Sequence, residues 1–325
     1  SAYIGTTGSG KTELVKSLLY DIKQQGNDIN FIIFDYKGDI SHPKNQRFID
    51  AVGCEILAKR ININPLEIKT SEDTDEAAYN KTYSFTQVSQ VGRVQELRLA
   101  RAIVELHQNK PRGTQPDMND LLQLMLQKAN GKDENLIFVA LEKFVKIFWL
   151  KTHKTEPIKN LIDEHIIVNL SKLSSQRTMV ASIMMEKIAS EMSLLPDASV
   201  AHGKRKIRTI LFIDEAHNYL RYKNPSLEKI IREGRSKGIA VWLASQSYND
   251  FHKREKDFNF QEHLGFSYLF KSSNLHADTL TAILKIPKAQ AQIIKNRAIL
   301  EQLPPLHCLS NVCSEIIRAS TMFEK

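Results

Sequence analysis

At 325 residues the chain can hold one large domain or two modest ones, with ample core. A hydrophobic content of 42% with 25% charged residues is the balance of a soluble globular protein, and no signal peptide or membrane span is visible. The net charge of +8 suits a nucleic-acid partner and a mildly basic enzyme equally. Cys54, Cys308 and Cys313 fall in no metal-binding spacing, so a reduced, cytoplasmic chain with buried free thiols is expected.

The first dozen residues carry the strongest signal. Gly5-Thr6-Thr7-Gly8-Ser9-Gly10-Lys11-Thr12 is a G-x-x-x-x-G-K-[ST] phosphate-binding loop. Its glycines let backbone N–H groups turn inward around a triphosphate, and the helix after Gly10 presents its positive end to the same phosphates. Lys11 is expected on the β- and γ-phosphates and the Thr12 hydroxyl on Mg²⁺. Only Ser1-Ala2-Tyr3-Ile4 precede the loop, where a full buried strand is expected. The chain therefore reads as the C-terminal piece of a longer protein.

Residues 12–25 read as the helix after the loop, with Leu14, Leu18, Leu19 and Ile22 on one face. Residues 30–34 read as a buried parallel strand that ends at Asp35-Tyr36-Lys37-Gly38-Asp39. Sheets of this kind place ligand-handling groups at that end, so Asp35 is either near the nucleotide or part of a polar turn. Residues 53–63 suggest another strand, and 70–78 a solvated acidic loop. Residues 86–109 and 117–164 are helical in pattern, so 79–160 reads as a helical insertion in a single domain spanning 1–325. Within it, Ile137, Leu141, Phe144, Val145 and Phe148 mark an amphipathic core helix.

Residues 165–170 are strand-like, and 174–195 form a helix whose methionines fill core. Lys204-Arg205-Lys206 is a basic turn that faces either DNA or solvent. Residues 209–215 form the second decisive stretch: an apolar run ending in Asp214 and Glu215. Asp214 suits an outer position on Mg²⁺, and Glu215 suits the base that orients and deprotonates the attacking water. A helix over 227–237 ends at Gly238, and a strand over 239–245 ends at Gln246, placed to sense phosphate and water. A last strand is expected over 265–271, helices over 276–284 and 287–296, and an irregular tail from Pro304-Pro305.

The loop, Phe212-Ile213-Asp214-Glu215-Ala216-His217, and Arg232-Glu233-Gly234-Arg235-Ser236-Lys237-Gly238 through Leu243-Ala244-Ser245-Gln246 together resemble the HerA/FtsK superfamily. The resemblance implies a RecA-like α/β fold, a mainly parallel sheet flanked by helices. It also implies ATP and Mg²⁺ as cofactors, DNA as a partner read with little base specificity, and a homo-oligomeric, hexameric ring. Within the superfamily the chain looks like the C-terminal ATPase domain of DptH-type proteins, which act in phosphorothioation-dependent restriction. That likeness implies a nuclease or other defence subunits as partners. One departure is Ser236, where HerA proteins usually carry lysine.

In RecA-like rings a neighbouring subunit supplies an arginine to the transferred phosphate, and Arg235, with Arg232 three residues before it, matches that arginine. The alternative is a surface pair bridged to Glu228 or Glu233. Two functions remain open: a DNA translocase or helicase of a restriction or repair system, and an energising ATPase of a secretion or conjugation apparatus of the VirB4 or TraG kind. A GTPase is disfavoured because Asn80-Lys81 is followed by Thr82-Tyr83. A transporter ATPase is disfavoured because Leu170-Ser171-Lys172-Leu173 is a poor match to its signature.

Overall fold

The computed structural model describes residues 1–26, 28–86, 92–111, 113–129, 135–251, 258–273, 275–313 and 315–319. In chain order it begins with β1 (Ala2–Ile4), α1 (Lys11–Gln24), β2 (Asn30–Asp35), α2 (Gln46–Val52) and β3 (Glu55–Leu57). Four helices follow: α3 (Thr74–Thr86), α4 (Arg93–Asn109), α5 (Met118–Gln127) and α6 (Asn135–Ile147). Then come β4 (Ile166–Asn169), α7 (Arg177–Leu194) and a small hairpin of β5 (Val200–Ala201) and β6 (Lys204–Arg205). Next are β7 (Thr209–Ile213), α8 (His217–Leu220), α9 (Pro225–Lys237) and β8 (Ile239–Ser245). The chain continues with β9 (Ser267–Phe270), α10 (Ala277–Leu284), α11 (Lys288–Asn296), α12 (Ile299–Gln302), β10 (His307–Ser310) and β11 (Ile317–Arg318).

The main sheet has the order β11-β10-β9-β1-β8-β7-β2-β4-β3. From β9 to β3 every neighbouring pair is parallel, while β10 and β11 run antiparallel at one edge. This is the expected α/β architecture. The central strands are apolar at successive positions because helices cover both faces. On β2, Phe31 and Ile33 face Leu14 and Leu19 of α1 and Phe48 of α2. Ile32 and Phe34 face the opposite layer, which contains Val180 and Met184 of α7 and Ile230 of α9. The methionines Met184, Met185 and Met192 are buried there, as core filling requires.

Helices α3 to α6 lie between β3 and β4, two strands that pair in parallel. They share one apolar core with the sheet through Phe85, Ile103, Leu121 and Phe144. Buried ions tie α3 to α7: Lys81 Nζ lies 3.2 Å from Glu186 Oε2. Nearby, Lys187 pairs with Glu67 at 2.8 Å and with Glu191 at 3.0 Å. Burial raises the Glu186 pKa, and the Lys81 ammonium opposes that shift.

Several expectations are corrected. The acidic stretch over 70–78 is not all loop, because α3 starts at Thr74. Asp73 accepts from the Glu76 amide at 2.8 Å, and Asp75 and Glu76 favour the positive end of the helix. The strand expected over 53–63 shrinks to Glu55–Leu57, with one further bridge between Ile61 and Phe148. The helix expected from Thr86 begins at Arg93, and residues 87–91 lie outside the described residues. The tail is not irregular throughout, since Cys308, Leu309 and Ser310 pair with β9. Cys54 and Cys308 are buried thiols pushed up to about 12 by burial, but Cys313 is exposed. Among the described residues no helix is long and apolar enough to cross a membrane.

Candidate nucleotide site

β1 is the origin of the site. It lies between β8 and β9, so the loop that follows it is tied to both neighbours. The Gly5 amide donates to Ser245 O at 3.2 Å, and the Thr6 amide donates to Lys271 O at 3.0 Å. Gly8 and Gly10 take φ of 76° and 107°, a region that side chains disfavour. Gly10 also starts α1 without a side chain to cap it, which leaves the positive helix end open to an anion. Lys11 is buried beneath the loop, where its ammonium donates to Gly5 O at 2.6 Å and Thr6 O at 3.0 Å. Burial lowers its pKa, and the nearby Glu215 and Asp214 carboxylates oppose that shift.

The second wall comes from β7. Its parallel register beside β2 and β8 brings Asp214 and Glu215 to the carboxyl edge of the sheet, beside the loop. The Asp214 amide donates to Phe34 O at 3.0 Å, and the Ala216 amide to Ala244 O at 2.7 Å. These bonds hold Glu215 at φ 48°, a left-handed conformation uncommon for a residue with a side chain. The Glu215 carboxylate accepts from Gln246 Nε2 at 3.2 and 3.0 Å, contacts the Lys37 ammonium, and lies 3.2 Å from His217 Nδ1. Burial works against its ionisation, but His217, Lys37 and Gln246 outweigh burial and hold its pKa at about 2. Asp214 behaves oppositely. Burial, the Glu215 charge and the Asp35 charge push it up to about 7.

Thr7, Gly8, Lys11, Thr12, Asp214 and Glu215 thus line one cleft of about 460 Å³. The donor set fits a nucleotide with a hard divalent cation, to which the Thr12 hydroxyl and the Asp214 carboxylate offer oxygen atoms. Ser9 Oγ, buried in the loop, has no hydrogen-bond partner among the described residues, as an orphan awaiting an oxyanion would be.

Asp35 settles as a turn-former. It is buried after β2 and accepts from the Gly38 amide at 2.9 Å and from the Ser41 amide and hydroxyl at 2.7 Å. Those bonds occupy both oxygens, so its influence on the cleft passes through its charge on Asp214.

Arg232 and Arg235 are not brought to the cleft of their own chain. They sit on α9, whose C-cap Gly238 immediately precedes β8. Arg235 therefore lies at the amino edge of the sheet and Gln246 at the carboxyl edge. The seven residues of β8 between them span about 23 Å. Both arginines are exposed, and the Arg232 guanidinium lies 5.2 Å from the centre of the Phe258 ring. The basic turn at Lys204-Arg205 is the exposed β5–β6 hairpin, anchored where Arg205 donates to Ala198 O and Ser236 O.

Sequence reasoning missed several contributors to the cleft, among them Lys37, Lys44, Asn45, Pro305 and Leu306. Lys37 was visible as a lysine at the carboxyl end of a strand. Pro305 and Leu306 were not visible, because they return to the loop from the far end of the chain.

A family model described as the central domain of helicase HerA matches residues 1–188. A second, for the TraM recognition site of TraD and TraG, matches residues 208–254. Among solved structures, VirB4 of Thermoanaerobacter pseudethanolicus aligns with a TM-score of 0.67 and 16% identity, over 100% of this chain and 90% of that one. The plasmid coupling protein TrwB with the ATP analogue ADPNP aligns with a TM-score of 0.61 and 16% identity, over 98% and 84%. TrwB with ADP and Mg²⁺ gives 0.54 and 15%, over 98% and 82%. At these identities the likeness is one of fold, a RecA-like α/β domain. Comparison with curated proteins returned no significant match. The HerA model covers more than half of the chain and includes the phosphate loop, so the chain belongs to the HerA central-domain family.

Proposed function

We propose that the protein is an ATP-hydrolysing motor that moves DNA, working as a ring of identical subunits. The observation that carries this reading is the convergence of Lys11, Asp214 and Glu215 on one cleft at the carboxyl edge of the sheet. The TrwB complexes with ADPNP and with ADP and Mg²⁺ support the use of a nucleotide and Mg²⁺ by this chain. Loop amides and Lys11 would bind the phosphates, and Thr12 and Asp214 would hold the cation. Bound Mg²⁺ neutralises charge on the phosphate oxygens. Glu215 orients and deprotonates the attacking water, and Gln246 positions it. Arg235 of a neighbouring copy supplies positive charge to the transferred phosphoryl group.

The decisive experiment is ATP hydrolysis by the full-length protein with and without duplex DNA, together with its size in solution. A DNA motor gives stimulated turnover in an oligomer, with binding that weakens steeply as salt rises. A rate indifferent to DNA favours the second reading, an energising ATPase of a secretion or conjugation apparatus. The match of residues 208–254 to the TraM recognition site of TraD and TraG supports that alternative. The sequence likeness to DptH-type proteins supports a place for the motor in a phosphorothioation-dependent restriction system, with a nuclease as partner.

A further inference from the structure

Lys37 belongs to no motif used above. It stands in the turn that Asp35 organises after β2, and it lines the same cleft as Lys11. Its ammonium contacts Glu215 Oε1, while Gln246 holds both oxygens of the same carboxylate. Glu215 is thus engaged by the Lys37 cation, the Gln246 amide and, at 3.2 Å, the His217 ring, in the place a water would take. Three lysines, Lys11, Lys37 and Lys44, line the cleft, and the first two differ. Lys11 is buried, with its ammonium on Gly5 O and Thr6 O. Lys37 is about one-third exposed, on a flexible four-carbon stem that can change partners.

A terminal phosphate carries more negative charge than a carboxylate, so it competes for the nearer ammonium. The group that orients the hydrolytic water sits beside the phosphate under attack, so a cation on Glu215 is beside the γ-phosphate and one phosphate removed from the β-phosphate that ends ADP. We propose that Lys37 alternates between Glu215 and the γ-phosphate, and so releases the Glu215 carboxylate from its cation only when a triphosphate is bound. This rests on the nucleotide reading of the cleft. Diphosphate lacks the competing group, so with ADP the Lys37–Glu215 pair persists and the base stays engaged.

The test uses Lys37→Met, which keeps the stem and removes the charge, and Lys37→Arg, which keeps the charge. Affinities for a non-hydrolysable MgATP analogue and for MgADP are measured on the full-length protein, alongside ATP turnover. Lys37→Met is expected to weaken the triphosphate about tenfold, the worth of one charge-assisted contact, and to leave ADP within about twofold. Its turnover falls as well, and Lys37→Arg restores the preference for triphosphate. Equal loss of both nucleotides, or no loss of either, overturns the role of Lys37 and leaves the nucleotide site standing. A wild-type protein that binds neither nucleotide overturns both.

Discussion

Leu306 closes directly over Gly10. Its amide donates to Ser9 O at 2.9 Å, and a Cβ placed on Gly10 would lie 2.7 Å from the Leu306 Cα. The far end of the chain is thus part of the wall of the phosphate loop. Leu306 itself takes φ 67°, and its carbonyl accepts from the Ala319 amide at 2.7 Å. Backbone strain on one residue and a missing side chain on the other make the approach possible.

Gly10→Ala should therefore harm both partners. The added methyl group meets backbone, which cannot rotate away, and φ 107° is unfavourable for alanine. Nucleotide affinity is expected to fall at least about tenfold while the thermal transition of the fold persists. Limited proteolysis near residue 306 should speed up. An unaltered affinity and cleavage pattern would show that the two segments do not press on each other.

Lys11 and Glu215 should separate binding from chemistry. Lys11→Ala removes the loop's ammonium and is expected to abolish most ATP affinity and all turnover. Glu215→Gln keeps size and hydrogen bonding but cannot take a proton, so MgATP should bind nearly normally. Its hydrolysis should be at least about a hundredfold slower. Binding and hydrolysis that decline in parallel in Glu215→Gln would rule out a role confined to the chemical step.

Arg235 lies in the last turn of α9 just before β8, at the edge of the sheet opposite Gln246 with a strand of about 23 Å between, and it does not line the cleft of its own chain. Arg235→Ala is expected to bind ATP normally and to lose hydrolysis. Mixing it with Lys11→Ala subunits should restore part of the activity, because one mixed interface pairs an intact loop with an intact arginine. Mixtures shown to co-assemble but without rescue would leave Arg235 a surface residue.

The buried pair between Lys81 and Glu186 should behave as a unit. Lys81→Ala leaves an uncompensated carboxylate and is expected to lower unfolding free energy by about 3–5 kcal/mol in urea denaturation. Replacing both partners with apolar residues, Lys81→Met with Glu186→Leu, should recover most of that loss. If the single variant costs less than about 1 kcal/mol, water reaches the pair and α3 is not anchored through it.

The site was legible in the sequence where backbone demands fix the residue type. Only glycine suits the positive φ of Gly8 and Gly10, and an apolar run ending in two carboxylates marks the carboxyl edge of a buried strand. Other features depend on partners distant in the chain. Asp35 became a turn-former once Gly38 and Ser41 donated to it, and that turn carries Lys37 into the cleft. The acidic residues before α3 looked solvated, although the same residues start a helix. Pro304-Pro305 hid β10, whose pairing with β9 involves residues about forty positions earlier. The helix carrying Arg235 was legible, but its edge of the sheet followed only from the parallel direction of β8.

The ends of the sheet constrain how copies of the chain can meet. One outer strand, β11, has two residues, and the other, β3, has three. Strands this short offer few open N–H and C=O groups for another chain to continue the hydrogen-bond ladder. Growth by strand addition, the route to fibrils and to swapped sheets, has little backbone to work with. In the ring proposed above, contacts between copies would fall instead to side chains on helices and loops, which can slide and re-form without breaking a shared ladder.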